Sequence, residues 1–327
     1  FRSEQIAEGN FRTLSEKARD VPGVKKLKGA MDMWIFPPER KPLTAADVER
    51  IHGLGFDRLL LQVFAGDQAS PDSAFTPAAV EKAHEYGYLI GQYHNYSWVY
   101  ERRYKRDPEL KAVCIRGPNG YKPSGSLWGT NLKYCPGALD DKLRAVAAEQ
   151  RAYGCDTVFT DCTTAGGSLR DCFDENHPLT RATAATALGD SLRAITDQGM
   201  VAGSERGFWW GAADCHYFEG IETPIRYFNI FTRESSAQHH AGPFHIERPE
   251  DYDRYMLGYT YGPQNRVPLF QLVFHDAVVC TRRWNDHYGR DMDLWRLSDL
   301  MSIVHGTPPN VKFRGDDTPH VMKEESR

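Results

Sequence analysis

The feature that most constrains how this chain can fold is a regular alternation between short apolar runs and amphipathic stretches, which begins at Leu27. Each apolar run is followed by polar, glycine-rich or aromatic residues. This alternation is typical of consecutive βα units, in which helices connect parallel strands. Eight strands are predicted, and in chain order they span residues 29–36, 58–64, 89–94, 156–161, 200–205, 226–231, 269–274 and 311–313.

Capping residues and glycines predict the helices between these strands. Thr44 is predicted as the N-cap of one helix, with Asp47 in its first turn. That helix ends at Gly53, and Pro77 opens the next one. Further helices are predicted over residues 140–153, 180–198 and 291–304.

Eight strands with their helices, within about 290 residues, are the size expected of one (β/α)8 TIM barrel. An open doubly wound sheet is the alternative, but no Gly-x-Gly-x-x-Gly motif follows the first strand. The segment from Trp98 to Pro136 is too long for an ordinary connection, so we expect long loops on the carboxyl-terminal face. The predicted divisions are a lead-in segment 1–26, the barrel 27–315 and a polar tail 316–327.

Composition and charge exclude several classes of partner. The chain has 40 basic and 44 acidic residues without a long block of one sign. Binding to a nucleic-acid backbone requires a concentrated basic surface, so no nucleic-acid partner is predicted. Its longest apolar runs, such as Leu59 to Phe64, are far shorter than the roughly 20 residues that cross a bilayer, so no membrane span is predicted. The seven cysteines form no Cys-x-x-Cys pair, which argues against a structural zinc site. Because the chain starts at Phe1, we expect a segment of a longer protein, and no compartment is predicted.

Aromatic residues favour a carbohydrate ligand. They make up 12% of the chain, and many lie among polar neighbours rather than in apolar runs. Exposed aromatic rings beside hydrogen-bonding groups suit flat, hydroxyl-rich ligands such as sugars. The candidate platforms are Trp34, Trp128 and Trp209. Packing in the core and at its edge is the alternative role for each of them.

Polar residues at the ends of the predicted strands are the candidates for a functional site. In a barrel of this kind, catalytic groups lie at the carboxyl ends of the strands. The candidates that follow or end a strand are Asp32, Trp34, Gln62, Asp67, Tyr93, His94, Asn95, Asp161, Glu205, His275 and Asp276. Of these, we assign substrate binding to Asp32, Trp34, Tyr93, His94, His275 and Asp276, and we add Trp128, Trp209 and Arg206 from the loops.

Asp161 and Glu205 are the predicted catalytic pair. Each ends an apolar strand and is followed by small or glycine residues, which leaves room for a ligand. They lie 44 positions apart, so they would occupy adjacent strands and approach each other. Two carboxyl groups on either side of one bond are the apparatus of glycoside hydrolysis, and we assign Asp161 as nucleophile and Glu205 as general acid/base. The structural alternatives are an aspartate that caps nearby amides and a glutamate paired with Arg206.

A metal-dependent hydrolase is a less favoured reading. Its ligands would come from strand-end residues and from a histidine further along the chain, namely Asp32, Tyr93, His94, Asp161, His216, His275 and Asp276. Neither His-x-His nor His-Glu-x-x-His occurs, so no metal and no cofactor are predicted. A barrel that binds carbohydrate without catalysis is a further alternative.

Four motifs resemble those of a known group of enzymes. They are Met31-Asp32-Met33-Trp34, Phe159-Thr160-Asp161, Gly203-Ser204-Glu205-Arg206-Gly207 and the run from Pro268 to Asp276. Their order resembles the retaining barrels of the endo-α-N-acetylgalactosaminidases and α-N-acetylgalactosaminidases, glycoside hydrolase families 101 and 129. The resemblance implies that Asp161 is the nucleophile, that Glu205 is the acid/base, and that Asp32 and Asp276 bind sugar hydroxyls. Those families also carry β-sandwich domains, which are not seen in this sequence.

Overall fold

The structure, a computed structural model, describes residues 2–7, 11–37, 41–126, 129–165, 169–220, 267–281 and 292–314. The strands are β1 Met31–Phe36, β2 Leu59–Val63, β3 Leu89–Asn95, β4 Trp98–Tyr100, β5 Arg116–Gly117, β6 Gly120–Tyr121, β7 Ser124–Ser126, β8 Gly129–Lys133, β9 Thr157–Asp161, β10 Val201–Glu205, β11 Tyr217–Glu219, β12 Val279–Thr281 and β13 Asn310–Arg314. The helices are α1 Arg2–Ala7, α2 Leu14–Asp20, α3 Ala45–His52, α4 Pro71–Ala74, α5 Pro77–Glu85, α6 Glu101–Arg106, α7 Asp140–Ala152, α8 Arg181–Thr196, α9 Leu269–Phe274 and α10 Met292–His305. Short 3₁₀ helices span Pro22–Leu27, Pro108–Lys111, Pro136–Ala138 and Trp209–Ala212. None of these helices is both long enough and apolar enough to cross a membrane.

Eight parallel strands form one sheet that curls into a barrel. Their order is β12-β11-β10-β9-β3-β2-β1-β13, so neighbours follow the chain and the last strand pairs with the first. Side chains also meet across the interior: the Tyr217 hydroxyl on β11 donates to Gln62 Oε1 on β2 at 3.1 Å. Thr281 Oγ1 on β12 donates to Asp32 Oδ2 on β1 at 3.0 Å. The predicted (β/α)8 barrel is therefore confirmed.

Most of the predicted elements lie where the sequence pattern places them. The first five barrel strands and the last one agree with prediction to within two residues. Thr44 caps α3 as predicted, because its side chain accepts from the Asp47 amide while the Asp47 carboxylate accepts from the Thr44 amide. Pro77 occupies the first turn of α5. The strand predicted at 226–231 lies outside the described residues, and the sixth barrel strand is Tyr217–Glu219.

The predicted seventh strand, residues 269–274, is wrong, because this run forms helix α9. Gln271 and Phe274, three positions apart, face the interior, whereas Leu269 and Leu272 are exposed. That spacing is helical, and a short apolar run alone does not separate a helix from a strand. The seventh strand is Val279–Thr281, so His275 and Asp276 precede it instead of ending it.

The long segment between β3 and α7 folds into small sheets of its own. Antiparallel strands β4, β8 and β7 form one sheet, and β5 pairs with β6 in another. Strand β4 starts three residues after the end of β3, so this insertion leaves the barrel at the carboxyl end of a central strand. The described part of the segment predicted as a loop between Trp98 and Pro136 thus consists of strands and short helices beside that end.

The lead-in segment closes the amino-terminal end of the barrel. Ala18, Val21, Val24 and Leu27 pack against interior side chains of several barrel strands. The buried Lys17 ammonium donates to three backbone carbonyls, those of Ala212 (2.5 Å), Cys215 (2.8 Å) and Ala277 (2.7 Å). Burial lowers the pKa of Lys17 to about 8. This lysine therefore ties the lead-in to the chain on both sides of β11.

Asp32 is at the centre of a buried polar network near the barrel seam. Its oxygens accept hydrogen bonds from four side chains, Gln62 (2.6 Å), Asn310 (2.7 Å), Thr281 (3.0 Å) and Trp34 (3.3 Å). Burial, together with the charge of Glu219, raises the pKa of Asp32 to about 7. The network links strands β1, β2, β12 and β13, so it holds together the two edges that must meet for the barrel to close.

Gly203 leaves the space that the Tyr217 ring fills. A Cβ atom built on Gly203 would lie 2.0 Å from Cζ of Tyr217, whose side chain is fully buried. We therefore expect Gly203→Ala to lower the free energy of unfolding by about 1–3 kcal/mol or more, as overpacking does in a rigid core. Urea denaturation measures this change. Gly125→Ala is the matched control, because no heavy atom lies within 4 Å of its added Cβ. Equal losses of stability in the two variants would contradict overpacking against Tyr217 as the cause.

Candidate active site

Asp161 and Glu205 end neighbouring barrel strands and approach each other. Ser204 lies opposite Thr160 in the β9–β10 register, so the residue that follows each one projects from the same edge of the sheet. One oxygen from each carboxyl group and the Cys162 sulfur all lie within 4.8 Å of one another. The two carboxyl groups predicted from sequence therefore share one site at the carboxyl end of the barrel.

The Asp161 carboxylate is held by two donors from β3. Tyr93 Oη donates to Asp161 Oδ2 at 2.6 Å, and Asn95 Nδ2 donates to the same oxygen at 2.9 Å. Burial and the adjacent Asp161 charge raise the pKa of Tyr93 well above its usual value, so its hydroxyl stays a donor. Ser97 Oγ donates to the Asp161 backbone carbonyl at 2.9 Å. These contacts fix the carboxylate in one orientation.

Glu205 is largely enclosed and contacts the loop that follows β9. Its side chain is 8% exposed, and its Oε2 accepts from Cys162 Sγ at 2.9 Å. Thr164 Oγ1 donates to the Glu205 carbonyl at 2.9 Å. Burial, with the charges of Asp161 and Glu205, raises the pKa of the Cys162 thiol well above its usual value. Cys162 is therefore a protonated donor toward Glu205 and not a thiolate nucleophile.

The backbone turns sharply directly after each of the two carboxyl residues. Among the described residues, two that are not glycine lie in the left-handed region, Cys162 with φ 57° and Arg206 with φ 51°. This conformation is uncommon for residues with a side chain and is concentrated at functional sites. The same strained turn at the ends of β9 and β10 is independent support for a site there.

Further polar side chains approach the pair from β2 and from the insertion. Asp67, just after β2, is joined to β3 through its carbonyl, which accepts from the Asn95 amide at 2.6 Å. Burial, with the charges of Asp67 and Asp161, raises the pKa of Tyr100 to about 12. Burial lowers the pKa of Lys133 to about 8, and its ammonium lies 3.6 Å from the centre of the Trp98 ring. A wall of charged and aromatic side chains therefore borders the carboxyl pair.

Three of the predicted ligands lie away from the carboxyl pair. His94 points outward toward α7, with its Nε2 3.2 Å from Gln150 Nε2, and burial lowers its pKa to about 3. His275 and Asp276 follow α9, and the Asp276 carbonyl accepts from the Leu14 amide of the lead-in at 2.6 Å. That contact places both residues at the amino-terminal end of the barrel, opposite the candidate site. The sequence pattern predicts the two residues at the carboxyl end because it predicts residues 269–274 as a strand, whereas they form helix α9.

The remaining predicted ligands divide between the interior, the loops and the undescribed part of the chain. Trp34 is 3% exposed and packs edge-on against Phe159 with ring centres 4.9 Å apart, so it is an interior side chain. Trp209 lies in the 3₁₀ helix after β10 and is 48% exposed. Arg206 directly follows Glu205, and Trp128 lies outside the described residues. The substrate contacts assigned to Asp32, Tyr93, Trp34, Trp209 and Arg206 stay predictions.

Sequence reasoning left several residues of this site unassigned. Asn95 and Asp67 are strand-end candidates, but the sequence assigns neither of them a role in the site. Tyr100, Lys133 and Cys162 lie in loops and insertions, where a strand-end rule gives no signal. Side-chain alternation along β3 supports a role for Asn95, because it shares the inward face of Tyr93.

Two groups in the described part of the chain could hold a metal ion. One is the active-site group of Asp161, Cys162 and Glu205, and the other is Cys135, Cys172 and His177. The set considered for a metal-dependent hydrolase does not converge, because His94 faces outward and the His275–Asp276 pair is at the other end. His216 is buried and its Nδ1 accepts from the Ala202 amide at 2.9 Å.

Comparison with known proteins agrees with this architecture. Residues 51–325 match the family described as glycosyl hydrolases related to the GH101 family, GH129. Comparison with curated protein sequences finds no match. The ligand-free α-N-acetylgalactosaminidase NagBb from Bifidobacterium bifidum is similar with a TM-score of 0.67 and 19% identity, covering 99% of this chain and 54% of that chain. Its complex with GalNAc gives a TM-score of 0.66 and 20% identity, covering 94% of this chain and 50% of that chain.

A third similar structure is the α-galactosidase TtGalA from Thermus thermophilus in complex with p-nitrophenyl α-D-galactopyranoside. It gives a TM-score of 0.54 and 13% identity, covering 95% of this chain and 64% of that chain. At these identities the likeness to solved structures shows the fold alone. The chain spans about half the length of the NagBb chains that it matches.

Proposed function

This chain belongs to glycoside hydrolase family GH129, and from that premise we propose that it hydrolyses an α-linked sugar of the galactose or N-acetylgalactosamine class with retention of anomeric configuration. The sugar class is taken from the names of the similar structures, an α-N-acetylgalactosaminidase and an α-galactosidase. The roles of Asp161 and Glu205 come from the sequence pattern and the family resemblance, and the proximity of the two carboxyl groups supports them.

The spacing of the two carboxyl groups is the observation that carries the proposal. Facing atoms of Asp161 and Glu205 lie within 4.8 Å of each other. Retaining glycosidases hold their carboxyl groups about 5–5.5 Å apart, whereas inverting enzymes need about 6.5–9.5 Å to admit a water molecule between them. Because 4.8 Å bounds the closest approach of one oxygen from each group, little room is left between these oxygens for a water molecule, which favours a covalent intermediate over direct attack by water.

In the first step, an Asp161 oxygen attacks C1 of the sugar as the bond from C1 to the glycosidic oxygen breaks. Glu205 gives its proton to that oxygen, so the aglycone leaves as an alcohol and a glycosyl ester forms on Asp161. Tyr93 and Asn95 both donate to Asp161 Oδ2, which orients the other oxygen of the carboxylate for attack.

In the second step, the Glu205 carboxylate takes a proton from water, whose oxygen attacks C1 and breaks the ester bond to Asp161. Two displacements restore the starting anomeric configuration, and Glu205 regains its proton. Because the side chain of Glu205 is largely enclosed, bulk water is kept away from these proton transfers. The neighbouring carboxyl side chain of Asp67 and the hydroxyl of Tyr100 are the groups that we assign to the sugar hydroxyls.

The stereochemistry of the released sugar tests the proposal on the unmodified chain. We expect hydrolysis of p-nitrophenyl α-N-acetylgalactosaminide or α-galactoside, and proton NMR of the first turnovers should show the α-anomer before mutarotation. Initial release of the β-anomer would instead identify an inverting enzyme. Binding of the sugar without turnover on any aryl glycoside would favour a carbohydrate-binding barrel, and loss of turnover with EDTA without any fall in Tm would favour a metal-dependent hydrolase.

A further inference from the structure

A second group of reactive side chains lies outside the proposed catalytic site. Cys135, Cys172 and His177 are all buried, and one donor atom from each lies within 4.8 Å of the other two. Cys135 comes two residues after β8, whereas Cys172 and His177 belong to the segment between β9 and α8. The group therefore joins two separate insertions.

His177 is oriented as a metal ligand would be. Its Nε2 lies 2.6 Å from the Ala112 carbonyl oxygen, which can only accept, so Nε2 carries the hydrogen. Nδ1 then presents a lone pair toward Cys172 Sγ at 3.4 Å. Asp174 Oδ1 lies 3.6 Å from the same Nε2. Histidine ligands of metals donate their second ring nitrogen to a carbonyl or a carboxylate in this way.

The distances between the donor atoms suit a small tetrahedral ion. Zinc bonds of about 2.3 Å to sulfur and about 2.0–2.1 Å to nitrogen place two tetrahedral ligand atoms about 3.6 Å apart. The separation of 3.4 Å between Cys172 Sγ and His177 Nδ1 is close to that value. Cys172 Sγ also accepts from the Arg116 amide at 3.4 Å, which supports a metal-bound thiolate.

Charge balance favours a divalent cation in this buried position. Two thiolates and a neutral imidazole cancel the charge of Zn²⁺, so the occupied group would bring no net charge into the interior. Cys114 is fully buried, and its backbone pairs with that of Tyr134, the neighbour of Cys135. Its sulfur donates to the Leu110 carbonyl oxygen at 3.1 Å and lies outside the group of three, so a water molecule would complete the fourth position.

We propose that Cys135, Cys172 and His177 bind one Zn²⁺ that fastens the two insertions beside the active site. A disulfide between the two cysteines is the competing use of these sulfur atoms, but it would leave the orientation of His177 unexplained. The ion would have a structural role, because it would hold in place a stretch of chain beside the active site. Cys135 lies two residues from Lys133, and the amide of Tyr134, which lies between them, donates to the Ser97 carbonyl. Ser97 in turn contacts the backbone of Asp161.

Titration of the reduced, metal-free chain with Co²⁺ tests this site directly. We expect one equivalent to bind and to give intense tetrahedral d–d bands together with a near-ultraviolet band from sulfur-to-cobalt charge transfer. Zn²⁺ should abolish both signals by displacement. Excess Zn²⁺ over EDTA should also raise the Tm by about 5 °C or more. No binding, or a spectrum without charge transfer, would overturn the proposal.

Substitutions of the proposed ligands test which residues bind the ion. Cys172→Ala and His177→Ala should each weaken Co²⁺ binding at least a hundredfold. Cys155→Ala is the control, because it removes a buried thiol that belongs to neither metal-binding group. Equal binding in all three variants would overturn the assignment. A Cys135–Cys172 disulfide in freshly purified protein, seen as two missing thiols, would equally overturn it.

Discussion

Replacing Asp161 by Asn is expected to lower kcat toward aryl α-glycosides by at least about 10⁴-fold, the scale of loss when a catalytic nucleophile is removed. The amide cannot form the ester intermediate, although it is close in size to the carboxylate. Tyr93 and Asn95 both donate to Asp161 Oδ2, and the amide oxygen of Asn can accept both hydrogen bonds, so the variant removes the nucleophile while keeping its contacts. Steady-state kinetics with a chromogenic substrate measures the change.

Azide distinguishes a lost nucleophile from a misfolded protein. In Asp161→Ala, azide can enter the space of the carboxylate and attack C1, and we expect an α-linked substrate to give the β-glycosyl azide. Asp141→Asn, an exposed change in the first turn of α7, is the control and should keep full activity. Retention of more than a tenth of wild-type kcat in Asp161→Asn would remove this residue from the mechanism.

Replacing Glu205 by Gln is expected to lower kcat by about 10²–10⁴-fold for substrates whose leaving group needs a proton. Gln has the shape of Glu but no proton to give at the pH of the reaction. A dinitrophenyl glycoside leaves without protonation, so its first step should be nearly unaffected and a burst of dinitrophenolate should be seen. Stopped-flow absorbance with the two classes of substrate measures this difference.

The product formed with azide identifies the step that Glu205 assists. With Glu205→Gln and a dinitrophenyl α-glycoside, azide should attack the intermediate on Asp161 and give the α-glycosyl azide, the anomer opposite to that expected for Asp161→Ala. Glu49→Gln, an exposed change on α3, is the matched control. Losses of equal size for both leaving groups would show that Glu205 is not the proton donor.

Sequence reasoning succeeds where long-range order follows from local periodicity. Asp161 and Glu205 each end an apolar strand, and parallel strands joined by helices must bring such ends to one edge. The same reasoning fails at 269–274, where five apolar residues and one Gln fit a helix as well as a strand. That single error moves His275 and Asp276 to the wrong end of the barrel.

The alternation of side chains along β3 explains another difference between the predicted site and the observed one. Tyr93 and His94 are adjacent in a strand, so they point to opposite faces, and Tyr93 reaches the interior together with Asn95 whereas His94 does not. The group of Cys135, Cys172 and His177 depends on how two insertions fold against each other. No spacing rule predicts such contacts, because the cysteines are far apart in the chain and neither insertion follows the repeat of the barrel.

The lead-in that closes the base of the barrel also determines how far the chain can be trimmed. The family match begins at residue 51, yet the first barrel strand ends at Phe36, so a recombinant fragment cut to the match would lack that strand. Strands β2 and β13 would then present unpaired amides and carbonyls to solvent, and exposed edges of this kind invite intermolecular sheet formation. Removing Lys17 as well would leave three buried carbonyls without their donor. Such a fragment would be lost to aggregation before any assay could judge its chemistry.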